Sequence, residues 1–226
     1  MKYEGIYKGE FVSRPNRFIA NVIIDGRLET VHVKNTGRCR ELLVPGAAVY
    51  LQRHHNTRRK TKWSLISVEK GGRMVNIDSQ APNKAVFEWL SKGGLPFDIT
   101  TIKPEFVYGR SRMDFLITAG DDRILIEVKG VTLENDGVAM FPDAPTDRGV
   151  RHLLELCDSL EDSFMAAVIF VIQMEGVKYF TPNVQTHKEF AEALSYVRKK
   201  GVRVLAFDCC IGADYMHINK EVQVVL

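Results

Sequence analysis

Apolar and polar residues alternate in short runs through the first eighty positions, and helical spacing enters only after them. Runs at 18–24 and 29–33 flank Asp25-Gly26. Both residues of that pair tolerate positive φ, so it marks a hairpin. Further strands are expected at 48–53 and 63–69, with turns at Pro45-Gly46 and Gly71-Gly72. Some five strands without a long helix predict a small barrel, OB-like as the natural candidate and SH3-like as the alternative that periodicity leaves open.

The pattern changes at Ala81-Pro82-Asn83. Ala85, Val86, Trp89 and Leu90 are spaced as on a helix over 84–92, which Gly93-Gly94 ends. Strands follow at 103–108, 112–118 and 123–131, then a loop rich in Gly, Pro and Asp. A second helix is expected over 147–160, capped by Thr146, with an apolar stripe of Val150, Leu153, Leu154, Cys157 and Leu160. The run 164–172 is apolar throughout, as a fully buried strand would be. A helix over 187–200 ending at Gly201 and a strand over 202–207 complete the order α-β-β-β-α-β-α-β. That order predicts a mixed sheet with helices on its faces. The expected fold is therefore mixed α/β, with a barrel domain over 1–80 and a mixed-sheet domain over 81–226.

Composition narrows the function. The 226 residues are 45% hydrophobic and 26% charged, as in ordinary globular proteins. The longest apolar run has nine residues, against the roughly 18 that a membrane helix needs. Met1-Lys2-Tyr3-Glu4-Gly5 opens without an apolar signal region, so the expected location is the cytoplasm. None of the four cysteines forms a CxxC pair, and Cys209-Cys210 reads as two buried thiols on a strand rather than a redox pair. The net charge of +3 conceals a split: residues 1–80 hold 15 Lys and Arg against 7 Asp and Glu, whereas residues 81–226 hold 16 against 21. A basic front half suggests a polyanionic partner, the alternative being a solvated basic face.

Candidate chemistry lies on two successive strands. Asp114 and Glu127 flank the turn 119–122, and a hairpin centred between Gly120 and Asp121 sets them opposite each other. Lys129, two residues beyond Glu127, shares its face. Two facing carboxylates in an apolar sheet repel unless a positive charge intervenes. A hard divalent cation such as Mg²⁺ or Mn²⁺ would resolve the conflict, with Lys129 orienting or activating water. An ion pair at the strand ends is the alternative, and a one-residue slip in register would break the arrangement.

Asp114 followed by Glu127-x-Lys129, within the element order αβββαβ over 83–172, resembles the PD-(D/E)xK nuclease core, although Met113 stands where that pattern has proline. Over nearly its whole length the chain also resembles the sugar fermentation stimulation protein A family. The segments that carry this are 35–43 (Asn-Thr-Gly-Arg-Cys-Arg-Glu-Leu-Leu), 111–115 (Ser-Arg-Met-Asp-Phe), 127–133 (Glu-Val-Lys-Gly-Val-Thr-Leu) and 141–149 (Phe-Pro-Asp-Ala-Pro-Thr-Asp-Arg-Gly). The resemblance implies a prokaryotic DNA-binding protein with an OB-like N-terminal domain, a nuclease-like C-terminal domain and a regulatory link to sugar use, notably maltose. The resemblance to the nuclease core implies that Asp114, Glu127 and the backbone of Val128 bind metal, that Lys129 is catalytic, and that an acid from the first helix can join them, for which Glu88 is available.

Arg148, His152 and Glu155 share one face of the 147–160 helix, roughly opposite its apolar stripe. Arg148 and His152 are candidate nucleic-acid contacts, Arg148 beside the free N–H groups of the first turn, with a solvated face as the alternative. In the barrel, Arg14, Arg17, Arg38 and Arg40 are candidate phosphate contacts, and 53–60 reads as a basic tip whose double histidine is a solvated loop rather than a metal site. Phe18 could stack a base but reads more naturally as core. Three functions compete: a DNA binder with little sequence preference and a nuclease-like metal site, an active Mg²⁺- or Mn²⁺-dependent nuclease acting on DNA or RNA, and an RNA-binding or scaffolding module that leaves the buried charges unexplained.

Overall fold

A computed structural model describes the chain except for Thr36, Thr57 and Phe97. Thr36 belongs to the segment 35–43 and Thr57 to the expected basic tip, so those two positions lie outside the described residues. Five strands, β1 (Ile6–Asn16), β2 (Ile19–Ile24), β3 (Arg27–Val33), β4 (Ala48–Arg53) and β5 (Trp63–Lys70), pair in the cyclic order β1-β2-β3-β5-β4-β1. The ring closes through a short parallel contact in which His32 pairs with Ser64 and Val33 with Leu65. This is the expected OB-like barrel. Alternate residues Ala20, Val22 and Ile24, Val31 and Val33, and Val49 and Leu51 fill its interior. Asp25 and Gly26 both have positive φ, 49° and 74°, and join Ile24 to Arg27 in the two-residue hairpin their sequence demands. A sixth strand, β6 (Arg73–Asn76), extends β5.

Strand β1 had no counterpart among the expected elements. Its register shifts between Phe11 and Ser13 and again before Asn16, so its alternation is broken. Gly9 lets it pass close to β2: a Cβ there would lie 2.7 Å from Val22 Cγ1 and 2.8 Å from the Ile23 carbonyl. Phe18 overturns its reading as core. It sits at the β1–β2 corner, 45% exposed, with the Arg17 guanidinium 4.8 Å from its ring centroid.

The remaining elements run α1 (Ala81–Ser91), β7 (Thr101–Tyr108), β8 (Ser111–Ala119), β9 (Asp122–Val131), β10 (Leu133–Asn135), β11 (Val138–Phe141), α2 (Asp147–Asp158), β12 (Met165–Ile172), β13 (Tyr179–Pro182), α3 (Lys188–Lys200), β14 (Arg203–Ile211) and β15 (Met216–Glu221). Six of these strands form a mixed sheet in the order β15-β14-β12-β9-β8-β7, with β9, β12 and β14 parallel. Helix α1 lays Ala81, Ala85, Val86 and Leu90 in one cluster with Phe115, Ile117, Ile126 and Ile169. Helices α2 and α3 place Leu153, Leu156, Phe190 and Leu194 in another, with Leu125, Val168 and Phe170. Thr146 caps α2, its Oγ1 accepting the Gly149 N–H at 3.0 Å, and Gly201 ends α3 with φ 113°.

Three expectations are corrected. The stretch after Val131, read as loop, holds a hairpin whose turn is Asp136-Gly137, and β10, β11 and β13 form a small third sheet. Strand β15 follows β14 at the sheet edge. Helix α2 is rotated from the expected stripe: Gly149, His152, Leu153 and Leu156 are buried, whereas Leu154 is 41% exposed. The vicinal thiols divide as neighbours on a strand must, with Cys209 buried and Cys210 half-buried, and both are free.

Barrel and mixed sheet are joined by buried polar contacts. The Gln173 amide, just after β12, donates to the Asn76 carbonyl at 3.0 Å and the Asp78 carbonyl at 3.2 Å, and within the barrel half Lys34 pairs with buried Asp78 at 2.8 Å. At the other end of the junction the Arg38 N–H donates to Asp143 Oδ2 at 3.2 Å. Two segments more than a hundred residues apart in sequence thereby meet.

Candidate metal centre

The β8–β9 hairpin has the expected register: Ala119 pairs with Asp122, and the ladder runs back to Phe115 and Ile126. One step further would set Asp114 against Glu127, and there the ladder stops. Glu105 on the neighbouring strand has a φ of 55°, and β7–β8 pairing skips from Pro104–Phe115 to Phe106–Met113. Met113 joins the cluster of Leu153, whereas Phe115 joins that of α1, so the alternation of β8 is interrupted between them. The Asp114 carboxylate takes the place of a ladder carbonyl. Its Oδ2 accepts the Val128 N–H at 2.7 Å and its Oδ1 accepts the Asn83 side-chain amide at 2.6 Å.

Glu127 is buried, and its two oxygens differ. Oε1 accepts from Lys129 Nζ at 2.5 Å and from His152 Nδ1 at 2.6 Å. Oε2 is buried and has no partner among the described residues. Burial and the Glu127 charge push the Asp114 acid up to about 6, with Val128, Asn83 and Lys129 offsetting only part. Burial also raises Glu127, but His152 and Lys129 outweigh it and hold that carboxyl below its ordinary value. The two carboxylates thus divide: Glu127 is the committed anion and Asp114 resists ionisation.

This donor set fits a hard cation. Asp114 and the idle Glu127 Oε2 supply carboxylate oxygens. In a strand the C=O of a residue points to the same edge as its N–H, so the Val128 carbonyl faces the Asp114 side. Among the described residues no three His, Cys, Asp or Glu side chains form a metal-binding group. Mg²⁺ needs no such group, because it keeps several waters and is held by one or two carboxylates.

Glu88 does not join this set. Its Oε2 lies 2.7 Å from the Met1 amino group, and the residue that α1 brings to Asp114 is Asn83. Five residues along a helix is a rotation of about 140°, which separates the two. Asp114 opens onto a cleft of about 650 Å³ between the barrel and the sheet, lined by Lys34, Asn83, Lys84, Phe87 and Glu88 among others.

His152, expected on a polar face toward nucleic acid, is instead buried between α2 and the sheet. Its Nε2 lies 3.2 Å from Arg148 Nε, which is exposed at the start of the same helix. The sequence carried a signal for this, because Arg148 and His152 are four residues apart. Nothing local to them pointed to Glu127.

Comparison with known proteins decides the family. Residues 12–77 match the model of the SfsA N-terminal OB domain, and residues 80–215 match that of the sugar fermentation stimulation protein RE domain. The chain belongs to the sugar fermentation stimulation protein A family. It is 57% identical over all 226 residues to a sugar fermentation stimulation protein homolog of Ruminiclostridium cellulolyticum, and 56% identical to that of Clostridium beijerinckii, each covered in full. Among solved structures it is similar to Pyrococcus furiosus SfsA in complex with Ca²⁺, at 30% identity and a TM-score of 0.91, covering all of this chain and 98% of that one.

Within this member of the family the four barrel arginines are not equivalent. Arg14 donates from its two terminal nitrogens to the carbonyls of Gly37, Arg38, Arg17 and Asn35 at 2.6–2.9 Å, which ties it to the loop beneath it, while its Nε is buried without a partner among the described residues. Arg17, Arg38 and Arg40 are exposed. In the basic tip, His54 Nε2 is 2.9 Å from Ser64 Oγ while His55 is exposed, so the double histidine does not act as a pair.

Proposed function

We propose that the protein binds DNA with little sequence preference, with RNA as a second candidate partner. The exposed barrel arginines hold the phosphate backbone, and a nuclease-like site takes Mg²⁺ or Mn²⁺. The family description links it to sugar fermentation, and we read its role as regulatory, in maltose use, and its location as cytoplasmic. The observation that carries the metal site is the buried Glu127 Oε2, without a partner among the described residues, beside an Asp114 acid pushed up to about 6. The Ca²⁺ complex of the Pyrococcus relative accords with it.

Asp114, Glu127 and the Val128 carbonyl would hold the ion, which when bound would polarise a phosphodiester and acidify a water. Lys129 balances the Glu127 charge and can orient that water. Arg148, whose terminal nitrogens make no hydrogen bond among the described residues, can reach a phosphate oxygen. Lys129 in contact with Glu127 favours a second reading, an active nuclease, because a retired site has no need of it. Incubation of the purified protein with Mg²⁺ or Mn²⁺ on single-stranded, duplex and branched DNA and RNA tests both. Salt-sensitive binding without cleavage supports the first reading, metal-dependent cleavage the second, and neither binding nor cleavage removes both.

The arginines make a separate prediction. Arg38→Gln and Arg40→Gln should each reduce the slope of log affinity against log salt by roughly 0.7–0.9, one phosphate contact apiece. Arg14→Met should leave that slope unchanged but lower stability by about 2 kcal/mol, because it strips donors from four carbonyls. Salt titrations of DNA binding and urea unfolding separate the two effects.

A further inference from the structure

His152 sits where a surface helix would ordinarily carry an aliphatic side chain, against the sheet and within hydrogen-bond reach of one oxygen of one carboxylate. Arg148 Nε lies 3.2 Å from His152 Nε2 and holds the ring at its outer nitrogen. A carboxylate can only accept, so the proton of Nδ1 is aimed at Glu127 Oε1 at 2.6 Å. Lys129 donates to the same oxygen, leaving Oε2 of this buried anion without a partner among the described residues.

We propose that His152 is a positioning residue for the metal centre: held between Arg148 and Glu127, it donates from Nδ1 to Glu127 Oε1 and so presents Oε2 to the cation. The inference rests on the metal reading above and adds the group that orients its principal ligand. The helix is built for this. The Thr146 cap fixes its first turn, and Gly149 allows close approach to α3, since a Cβ there would lie 3.3 Å from the Phe190 ring. His152 follows one turn later. Without it the Glu127 carboxylate can rotate, carrying Lys129 with it, and the free oxygen no longer points one way. Partners of this kind, one bond removed from a metal, are typically worth 10–100-fold in affinity.

The test is a Mn²⁺ titration followed by melting temperature for wild type, His152→Asn and His152→Leu. An asparagine amide can donate from near the place of Nδ1, whereas leucine fills the volume without a donor. The expected result is that the Asn variant keeps the wild-type Mn²⁺ midpoint and the Leu variant needs roughly 10–100-fold more metal. A Leu variant with the wild-type midpoint overturns the inference while sparing the metal site. A wild type that ignores Mn²⁺ overturns both. Should the Leu variant fail to fold, long-range ¹⁵N correlation spectra of the wild type decide the matter. A proton on Nδ1 of His152, hydrogen-bonded to Glu127, is expected, and a bare Nδ1 overturns the inference.

Discussion

Asp114→Asn is expected to abolish the metal-dependent part of the thermal stability and to raise the melting temperature of the metal-free protein. The two effects share one cause. A cation that binds only the folded state stabilises it by RT ln(1 + [L]/Kd), about 2.7 kcal/mol at a hundredfold excess over Kd. That gain needs the Asp114 anion. Without metal, the same anion is disfavoured by burial and by Glu127, which push its acid from an ordinary 3.8 up to about 6. At neutral pH ionised Asp114 therefore costs up to about 3 kcal/mol. Asparagine removes the charge and keeps the geometry. Its carbonyl can accept the Val128 N–H, and Asn83 can turn its amide to offer oxygen instead of nitrogen. Melting with and without Mg²⁺ or Mn²⁺ measures both effects. Equal shifts in the two proteins, or none in either, would mean that the carboxylates do not hold metal.

The same shift fixes the sign of a pH dependence. Between 3.8 and about 6 the folded protein retains an Asp114 proton that the unfolded chain has released. Stability of the metal-free protein must fall as pH rises through that window. Glu127 acts in the opposite sense, but its folded value is lowered, so its contribution is lost only as pH falls below the ordinary glutamate range. Between pH 5 and 7 Asp114 dominates and should remove about 1 kcal/mol. Urea unfolding at the two pH values should show this loss in metal-free wild type and not in Asp114→Asn.

Much of this was legible in the sequence where the determinant is local. Asp25-Gly26 set one hairpin, and the turn at Gly120-Asp121 set the register that brings Asp114 toward Glu127. The same kind of signal stands at Asp136-Gly137, but the strands of three and four residues beside it are too short to show alternation. Strand β1 shows no period because its bulges erase it.

Side-chain partners were harder than elements. His152 counted as polar, so the expected stripe of α2 turned it outward, and the anion that draws it inward lies 25 residues away on another element. Glu88 looked like a ligand because it is acidic and on the right helix, but helix phase gives that place to Asn83. Arg14 has the charge of a phosphate contact and the surroundings of a loop clamp. In each case residue type suggested the chemistry, and long-range contact decided whether it was free to act.

Lys129→Met should be the most destabilising change at the site, and metal should reverse more of it than it contributes to wild type. Lys129 and Glu127 are both largely buried, 2.5 Å apart. Removing one partner of a buried pair leaves an uncompensated charge, at a cost of about 3–5 kcal/mol. The His152 bond to Glu127 survives, which places the expected loss near the lower end, about 3 kcal/mol. If the loss comes from the stranded anion, Glu127→Gln in the same chain should recover most of it. The ammonium and a divalent ion neutralise the same carboxylate from its two oxygens, so each weakens the need for the other. In Lys129→Met the cation meets Glu127 at full charge, binds more tightly, and should raise the melting temperature by more than it does in wild type. A structural ion pair with no metal role predicts the same loss and the same rescue by Glu127→Gln, but no added response to Mn²⁺. Melting curves of the single and double variants with and without Mn²⁺ therefore separate a site that Lys129 completes from a pair that merely fills the sheet.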